Sequence, residues 1–360
     1  MRALLYAPLL LASTATALAS GGFGGAAKTK KKKKNTTPLV EESDAYAKLR
    51  KWATDGGATL DGVRESNGAL VATKDVKKNG VLATLPSDLA LALCDPDEDE
   101  ADHAACAKNF YEFKYEDQFG DYVATLPEAP PTPINWSVDE IEALKWPPLI
   151  EEVQARKKRV DEVASEASLP ADKVERLAAI AASRAYEIHL DKKQDLTEDE
   201  RKEVEGAAQM STKVIRLLLP FFDSAARASS PSCKVEVKDP KRDDSTFVLK
   251  AQKALSEGDA VTVPYNIGVT TTADVLLNHG AVPASRLDGS SYADARLLAR
   301  HPDTDIPGSP ADDRAMAEDV GTPAGEAARL RLSLKNARTN KKHTSFFKAI
   351  KAGGRIGAQK

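Results

Sequence analysis

The sequence predicts an α+β fold, in which two blocks of short strands are separated by a long helical segment and followed by a mostly helical tail. Three observations carry this reading. Short apolar runs bounded by turn residues occupy 69–93 and return at 234–264. Between them, from about 103 to 219, capping signals and apolar residues at helical spacing dominate. Beyond 285 the strand-like runs stop. The expected divisions are 1–19 as a leader, 20–44 as a Lys-rich linker, and 45–102 as the first strand block. A helical insertion at 103–210, a second strand block at 211–285 and a tail at 286–360 complete the chain.

Taken in order, residues 45–56 form a helix, with Tyr46, Leu49 and Trp52 at i, i+3 and i+6 and Gly56-Gly57 ending the pattern. Ala69–Ala72 and Val81–Leu85 read as strands, and Asn79-Gly80 ahead of the second signals a hairpin between them. Leu89–Leu93 is a further short run before the acidic turn Asp95–Asp102. Ser137 with Glu140 makes a capping box that opens a helix, which Pro147-Pro148 interrupt. Pro170 opens another, with Val174, Leu177, Ala178, Ala181 and Ala185 on one face. Thr197 with Glu200 caps a third, running towards Val214, Leu217 and Leu218. Strands then return at Lys234–Lys238, Thr246–Ala251 and Ala260–Pro264. Residues 286–325 show no period, and Ala327–Ala337 reads as a short basic amphipathic helix.

The 360 residues are 42% apolar and 29% charged, as expected of a globular chain. Formal net charge is −3, but residues 1–34 hold one Arg, six Lys and no acid. The remainder carries 44 bases against 54 acids, a balance of −10. So acidic a body argues against nucleic acid as the main partner, because phosphate binding needs a basic face. Cys94, Cys106 and Cys233 lack metal-ligand spacing, and no metal is expected; one disulfide and one free thiol are compatible with them. Met1–Ala19 reads as a signal peptide: Arg2, an apolar stretch Leu4–Ala12 too short to span a bilayer, and the small-x-small site Ala17-Leu18-Ala19. The Lys28–Lys34 tract is then a flexible linker or, with Phe23, the transit half of a bipartite address to a complex plastid. The chain is expected to enter the secretory route, ending in a plastid or in a lumenal or secreted location, without a membrane span and as a monomer. Asn35-Thr36-Thr37 and Asn135-Trp136-Ser137 are sequons, usable only in the secretory lumen.

Several segments resemble one family. "ALVATKDVKKNGVLATLP" (Ala69–Pro86) resembles the N-terminal hairpin of SET domains, and "SRAY" (Ser183–Tyr186) the S-R-x-F helix of their inserted region. "LLPFFDSAARASSPSCKVEV" (Leu218–Val237) aligns without gaps to L-x-P-x-x-D-x-x-N-H-x-x-x-P-N. "VLKAQKALSEGDAVTVPYN" (Val248–Asn266) is similar to the strand, turn and strand ending in S-Y-G, and "TADVLLNHGAV" (Thr272–Val282) to the helix after it. The chain is thus identified as a diverged member of the Rubisco large-subunit lysine methyltransferase-like SET family, over roughly residues 45–285.

The resemblance implies small β-sheets whose 218–237 and Tyr265 segments cross as a pseudoknot. It implies S-adenosyl-L-methionine as cofactor, a lysine of a protein substrate as acceptor, and an in-line methyl transfer to an uncharged amine. Tyr265 takes the position of the catalytic tyrosine that also borders the cofactor. The remaining cofactor contacts fall on Ala69, Leu70, Ala226 and Arg227, and on Arg184, which is either a groove residue or a surface arginine. The family's Asn-His pair reads Ala226-Arg227 here, so a side-chain hydrogen bond to the cofactor is lost, at a cost of about 1–3 kcal/mol. The G-x-G at the N-terminal hairpin reads Asn67-Gly68-Ala69, and the aromatic of Y-G-F reads His279, either a general base or a structural histidine. These departures leave two functions open: a protein-lysine N-methyltransferase, or a catalytically impaired SET-fold protein that binds a partner.

Overall fold

The computed structural model describes residues 41–93, 102–112, 116–190, 213–238, 245–266 and 269–351. The leader, the Lys tract, Cys94 and the Thr197–Glu200 cap lie outside the described residues.

Helix α1 (Asp44–Asp55) starts where the Ser43 hydroxyl accepts the Tyr46 N–H, and it buries Tyr46, Leu49 and Ala53. Strand β1 (Val63–Ser66), which the sequence reading missed, turns into β2 (Ala69–Ala72) through Asn67 and Gly68, at φ 53° and 76°. Positive φ at both central residues is the two-residue hairpin turn whose twist matches its strands. The hairpin is therefore β1–β2, pairing Ser66 with Ala69, and not the expected pairing of 69–72 with 81–85. The physical reason is loop length: residues 73–80 are too many for the Asn79-Gly80 pair to close a tight hairpin. That pair makes a local turn, Gly80 N–H to the Lys77 carbonyl at 2.9 Å, while the Asn79 N–H reaches the Ala251 carbonyl at 2.8 Å.

Strand β3 (Val81–Pro86) instead pairs with a distant strand, Thr246–Ala251, which also pairs with Cys233–Lys238. Strand β4 (Leu91–Ala92) begins a second three-stranded sheet. The insertion then runs through α2 (His103–Glu112), α3 (Glu116–Val123), α4 (Val138–Glu142), α5 (Pro147–Ala167) and α6 (Ala171–Arg184). The capping box at Ser137 and Glu140 opens α4, but α4 stops at Glu142, and Pro147-Pro148 open α5. Prolines fit there because the first helical N–H groups have no partner inside the helix. All five apolar residues named for the Pro170 helix are buried. Helical character ends at Arg184, and Tyr186 starts β5 (Tyr186–Leu190), antiparallel to β6 (Lys213–Leu218). Val214, Leu217 and Leu218, expected on a helix, are thus strand residues. Leu217 and Leu218 also pair with β4, and a central strand favours such a run of branched apolar side chains.

Next come β7 (Ala226–Arg227), β8 (Cys233–Lys238), β9 (Thr246–Ala251) and β10 (Thr262–Val263). β7 and β10 pair in parallel, Thr262 with Ala226 and Val263 with Arg227, so the two segments expected to cross lie against each other. The Ala228 N–H to Val263 carbonyl bond and the Ser232–Thr262 contacts extend this seam.

The C-terminal region is helical: α7 (Thr272–His279), α8 (Tyr292–Arg300), α9 (Pro310–Met316), α10 (Pro323–Thr339) and α11 (Thr344–Lys351). The stretch 286–325 is therefore ordered into helices that no apolar period announced. Their starts are marked instead by Ser291 and Ser309, which accept the Asp294 and Asp312 N–H groups. Helix α10 is buried nearly all round rather than amphipathic. Arg331 lies inside, with Nε and Nη2 both on Asp313 Oδ1 at 2.9 and 2.7 Å, and Lys335 on Asp313 Oδ2 at 2.8 Å. Ion pairing is what allows these charges in a core.

Two cores result. One joins α1, the sheets and α6. The other gathers Trp136, Trp146 and Leu149 of the insertion with Leu276 of α7 and Ala327, Leu330 and Leu334 of α10. The side chains of Cys106 and Cys233 are both buried. No described helix is long and apolar enough to cross a membrane.

Candidate functional site

The site lies where the end of α6, the turn before β7 and the segment after β10 converge. Arg227 ties the three together. Its Nη2 donates to the carbonyls of Arg184 at 2.9 Å and Ala185 at 3.0 Å. Its Nη1 donates to the Pro264 carbonyl at 3.0 Å and Asn266 Oδ1 at 3.4 Å, bracketing Tyr265 on both sides. The guanidinium carbon stands 4.2 Å from the centre of the Tyr186 ring. Asn266 Nδ2 adds a bond to the Ala185 carbonyl at 2.8 Å. Arginine suits this place because its planar fork reaches several acceptors while its face stacks on a ring.

Tyr265 is half-buried, with its ring centre 5.1 Å from that of His279. Burial raises its hydroxyl above the ordinary pKa, against the opposing charges of Arg286 and Arg227. At neutral pH it is a protonated hydroxyl, fit to orient and polarise but not to act as a base. Burial, with Arg227 nearby, lowers His279 to about 3 despite a bond to the Ser183 backbone. A base so weak cannot take a proton from an alkylammonium, and the ring is a neutral wall of the site.

Behind this clamp sits a buried polar cluster that the site reading missed. Asp223 lies two residues after Phe221, whose φ of 74° and ψ of −48° are a strained backbone conformation for a residue with a side chain. The strain is held by packing: Phe221 is fully buried, edge-on to Tyr46 and under the Arg50 guanidinium at 4.7 Å. Asp223 Oδ2 accepts the Tyr122 hydroxyl at 2.6 Å and lies 3.4 Å from Arg184 Nη1. Burial raises the Asp223 carboxyl above the ordinary range, and Arg184 works against that rise. Its Oδ1 is buried with no hydrogen-bond partner among the described residues. Tyr46 and Ser224 share a hydroxyl bond at 2.7 Å, and the Tyr186 hydroxyl donates to the Phe222 carbonyl at 2.8 Å. The sequence signal for Asp223 was the fixed aspartate of the L-x-P-x-x-D segment; the tyrosines carry no local signal.

The remaining expected residues fall around this cluster. Leu70 is fully buried on β2, which lies against the turn at 222–224, and its carbonyl accepts the Val261 N–H at 2.8 Å. Ala69, half-buried, starts the same strand. Ala226 presents an exposed methyl on β7, with no polar side chain where an asparagine would be. The Arg184 side chain is 20% exposed and paired with Asp223.

Comparison with solved structures shows which fold carries this arrangement. The SET domain of LSMT bound to lysine and AdoHcy superposes with a TM-score of 0.59 at 13% identity, covering 86% of this chain and 92% of that one. The fold is that of a SET domain. The same SET domain bound to methyllysine and AdoHcy gives 0.60 at 14% identity, over 87% and 94% of the two chains. Rubisco LSMT bound to AdoMet gives 0.57 at 14%, over 88% and 97%. No family model matches the sequence, and no curated protein does. The SET fold is kept here by geometry that few identities record, with its helical insertion and small sheets in place.

Proposed function

We propose that the chain is an S-adenosyl-L-methionine-dependent protein-lysine N-methyltransferase of the SET type. The observation that carries the reading is the placement of Tyr265 within the SET fold, bracketed by the Arg227 clamp and backed by the Arg184–Asp223 pair. The donor set fits the cofactor. Its amino-acid end bears one carboxylate and one ammonium, and Arg184 with the unpartnered Asp223 Oδ1 offers the complementary charges. Leu70 and Arg227 contribute backbone groups, which do not depend on residue type. When bound, the cofactor supplies an electrophilic sulfonium methyl.

The protein's own part is to hold the acceptor in line and to keep it uncharged. An enclosed site depresses an amine's pKa by desolvation, and Arg227 and Arg286 beside Tyr265 add like-charge pressure in the same direction. The Tyr265 hydroxyl, protonated at neutral pH, accepts from or donates to the groups that meet there. Neither it nor His279 serves as the base, so the acceptor's proton leaves to solvent before transfer.

A second reading, a catalytically impaired SET-fold module that binds a protein partner, is favoured by one observation: Ala226 brings no side-chain hydrogen bond. Calorimetry with S-adenosylmethionine, followed by methyl transfer to lysate proteins, separates the two. Tyr265→Phe should keep cofactor affinity while turnover falls by a factor on the order of 10². Bound cofactor without any transfer by the parent chain would favour the binding module. We further propose that residues 1–45 direct the chain into the secretory route.

A further inference from the structure

Residues 35–360 carry 54 acids against 44 bases, yet the ground around Tyr265 is positive. The charges that act on its hydroxyl are those of Arg286 and Arg227, and no carboxylate joins them. Neither arginine forms an ion pair among the described residues. Arg227 spends its guanidinium on neutral acceptors, the carbonyls of Arg184, Ala185 and Pro264 and the Asn266 amide oxygen. Arg286, in the turn after α7, donates through Nη1 alone. Its partners are the Thr270 carbonyl at 2.8 Å, in a solvent-exposed bond, and the Ser291 hydroxyl at 3.4 Å. Its Nε and Nη2 hold no bond among the described residues.

Carboxylates on the neighbouring turns are already engaged. Asp274 accepts the Thr270 and Thr271 N–H groups at 3.2 and 2.8 Å, and Asp288 the Ser290 N–H at 2.9 Å. Asp294 feels the charge of Arg286, but it is fully enclosed and takes the Thr272 N–H and hydroxyl, both at 2.6 Å. The Arg286 guanidinium therefore keeps an open edge, Nε with Nη2, of the kind that takes a carboxylate through two parallel bonds. A lysine approaching Tyr265 arrives as an ammonium and meets like charge from both arginines. An acidic neighbour in the same peptide offsets that repulsion, whereas a basic one adds to it.

We propose that the acceptor lysine is presented in an acidic segment, with the carboxylate of an Asp or Glu near it in sequence taken by the open edge of Arg286. This inference rests on the methyltransferase reading above and adds to it the class of segment that is modified. In an extended peptide, side chains two residues apart lie about 7 Å apart and face the same side. An acid two positions from the lysine is thus placed to meet a wall residue while the lysine enters the site.

The test uses the full chain with S-adenosylmethionine and three peptides that differ only two residues before and after a single lysine, where they carry Glu, Gln or Lys. Methyl transfer is followed by mass spectrometry, and kcat/KM is compared between peptides. The Glu peptide should exceed the Gln peptide about tenfold, the worth of one charge-assisted bond, and the Lys peptide should be poorest. Added salt should narrow the spread. In Arg286→Gln the Glu-to-Gln ratio should fall towards one, and Arg286→Lys should keep part of it. A structural defect would instead lower all three peptides together, so a ratio still near tenfold in folded Arg286→Gln would overturn the assignment of Arg286. Equal kcat/KM for the Glu and Gln peptides in the parent chain would overturn the inference whatever the variants do, and would leave the methyltransferase reading standing. No transfer to any peptide or lysate protein, with cofactor bound, would remove that reading and this inference with it.

Discussion

Replacing Arg227 by methionine isolates the clamp, because methionine keeps an unbranched apolar stem and removes only the guanidinium. Three bonds to the carbonyls of Arg184, Ala185 and Pro264, at 2.9, 3.0 and 3.0 Å, disappear together with the stacking on Tyr186. At about 1 kcal/mol net for each bond and about 0.5–1 kcal/mol for the ring contact, the variant should lose about 4 kcal/mol. For a chain of this size that corresponds to a fall in Tm on the order of 10 °C. Urea denaturation followed by circular dichroism measures it directly. Arg227→Lys should recover less than half, since an ammonium can neither fork between acceptors nor stack flat. The same variant should loosen the Tyr265 segment, so amide exchange at Asn266 should quicken more than the global loss explains. If Arg227→Met costs less than about 1 kcal/mol, the guanidinium does not hold these carbonyls in solution and the clamp has no part in placing Tyr265.

Four further outcomes are expected. Ala226→Asn should tighten S-adenosylmethionine binding by about 1 kcal/mol or more, read by calorimetry; no change in a chain that binds the cofactor would mean the 218–237 alignment is wrong. His103 and His279, each lowered to about 3 against an ordinary 6.5, are neutral when folded. As pH falls below 6.5 the unfolded chain takes up protons that the folded chain refuses, so stability is full above that pH and is lost towards 3. The loss should reach up to about 1.4 kcal/mol per pH unit for each histidine; urea midpoints that do not drop from pH 7 to pH 5, or drop equally in His279→Asn, would remove this account. Gly280→Ala should cost several-fold more stability than an average surface change, because φ is 69° and a Cβ would stand 2.2 Å from the Pro131 carbonyl oxygen; a thermal melt settles it. A reporter fused to residues 1–45 should enter the secretory route, and diffuse cytosolic signal with an intact N-terminus would end that proposal.

The parts of this fold that were legible are those encoded locally. Ser137 with Glu140, and Pro170 ahead of Val174 and Leu177, placed helices because caps and periodicity act within a few residues. Pairing was not legible where it spans the chain: nothing local tells Val81–Pro86 to seek Thr246–Ala251 in place of its nearer neighbour. The buried α10 misled for a related reason. Arg329 and Arg331 look like a solvated face until Glu326, Asp313 and the carbonyls of Val282 and Ala317 are brought beside them. In the candidate site, Tyr265, Arg184 and Arg227 were named through motif order, whereas the Asp223 cluster depends on Tyr46 and Tyr122, far apart in sequence and without a motif.

The second core sets a condition on how this chain is made. Trp146 and Leu149 are synthesised early but rest on Ala327, Leu330 and Leu334, and the Arg331 fork closes on the Ala143 carbonyl. Contacts of such sequence separation form late, and the surfaces awaiting them stay open meanwhile. Until α10 has left the ribosome, the insertion presents two tryptophans and an apolar groove to the surrounding medium. Nascent chains stalled before Pro323 should therefore be ligands for holdase chaperones, and those released after Thr339 should not.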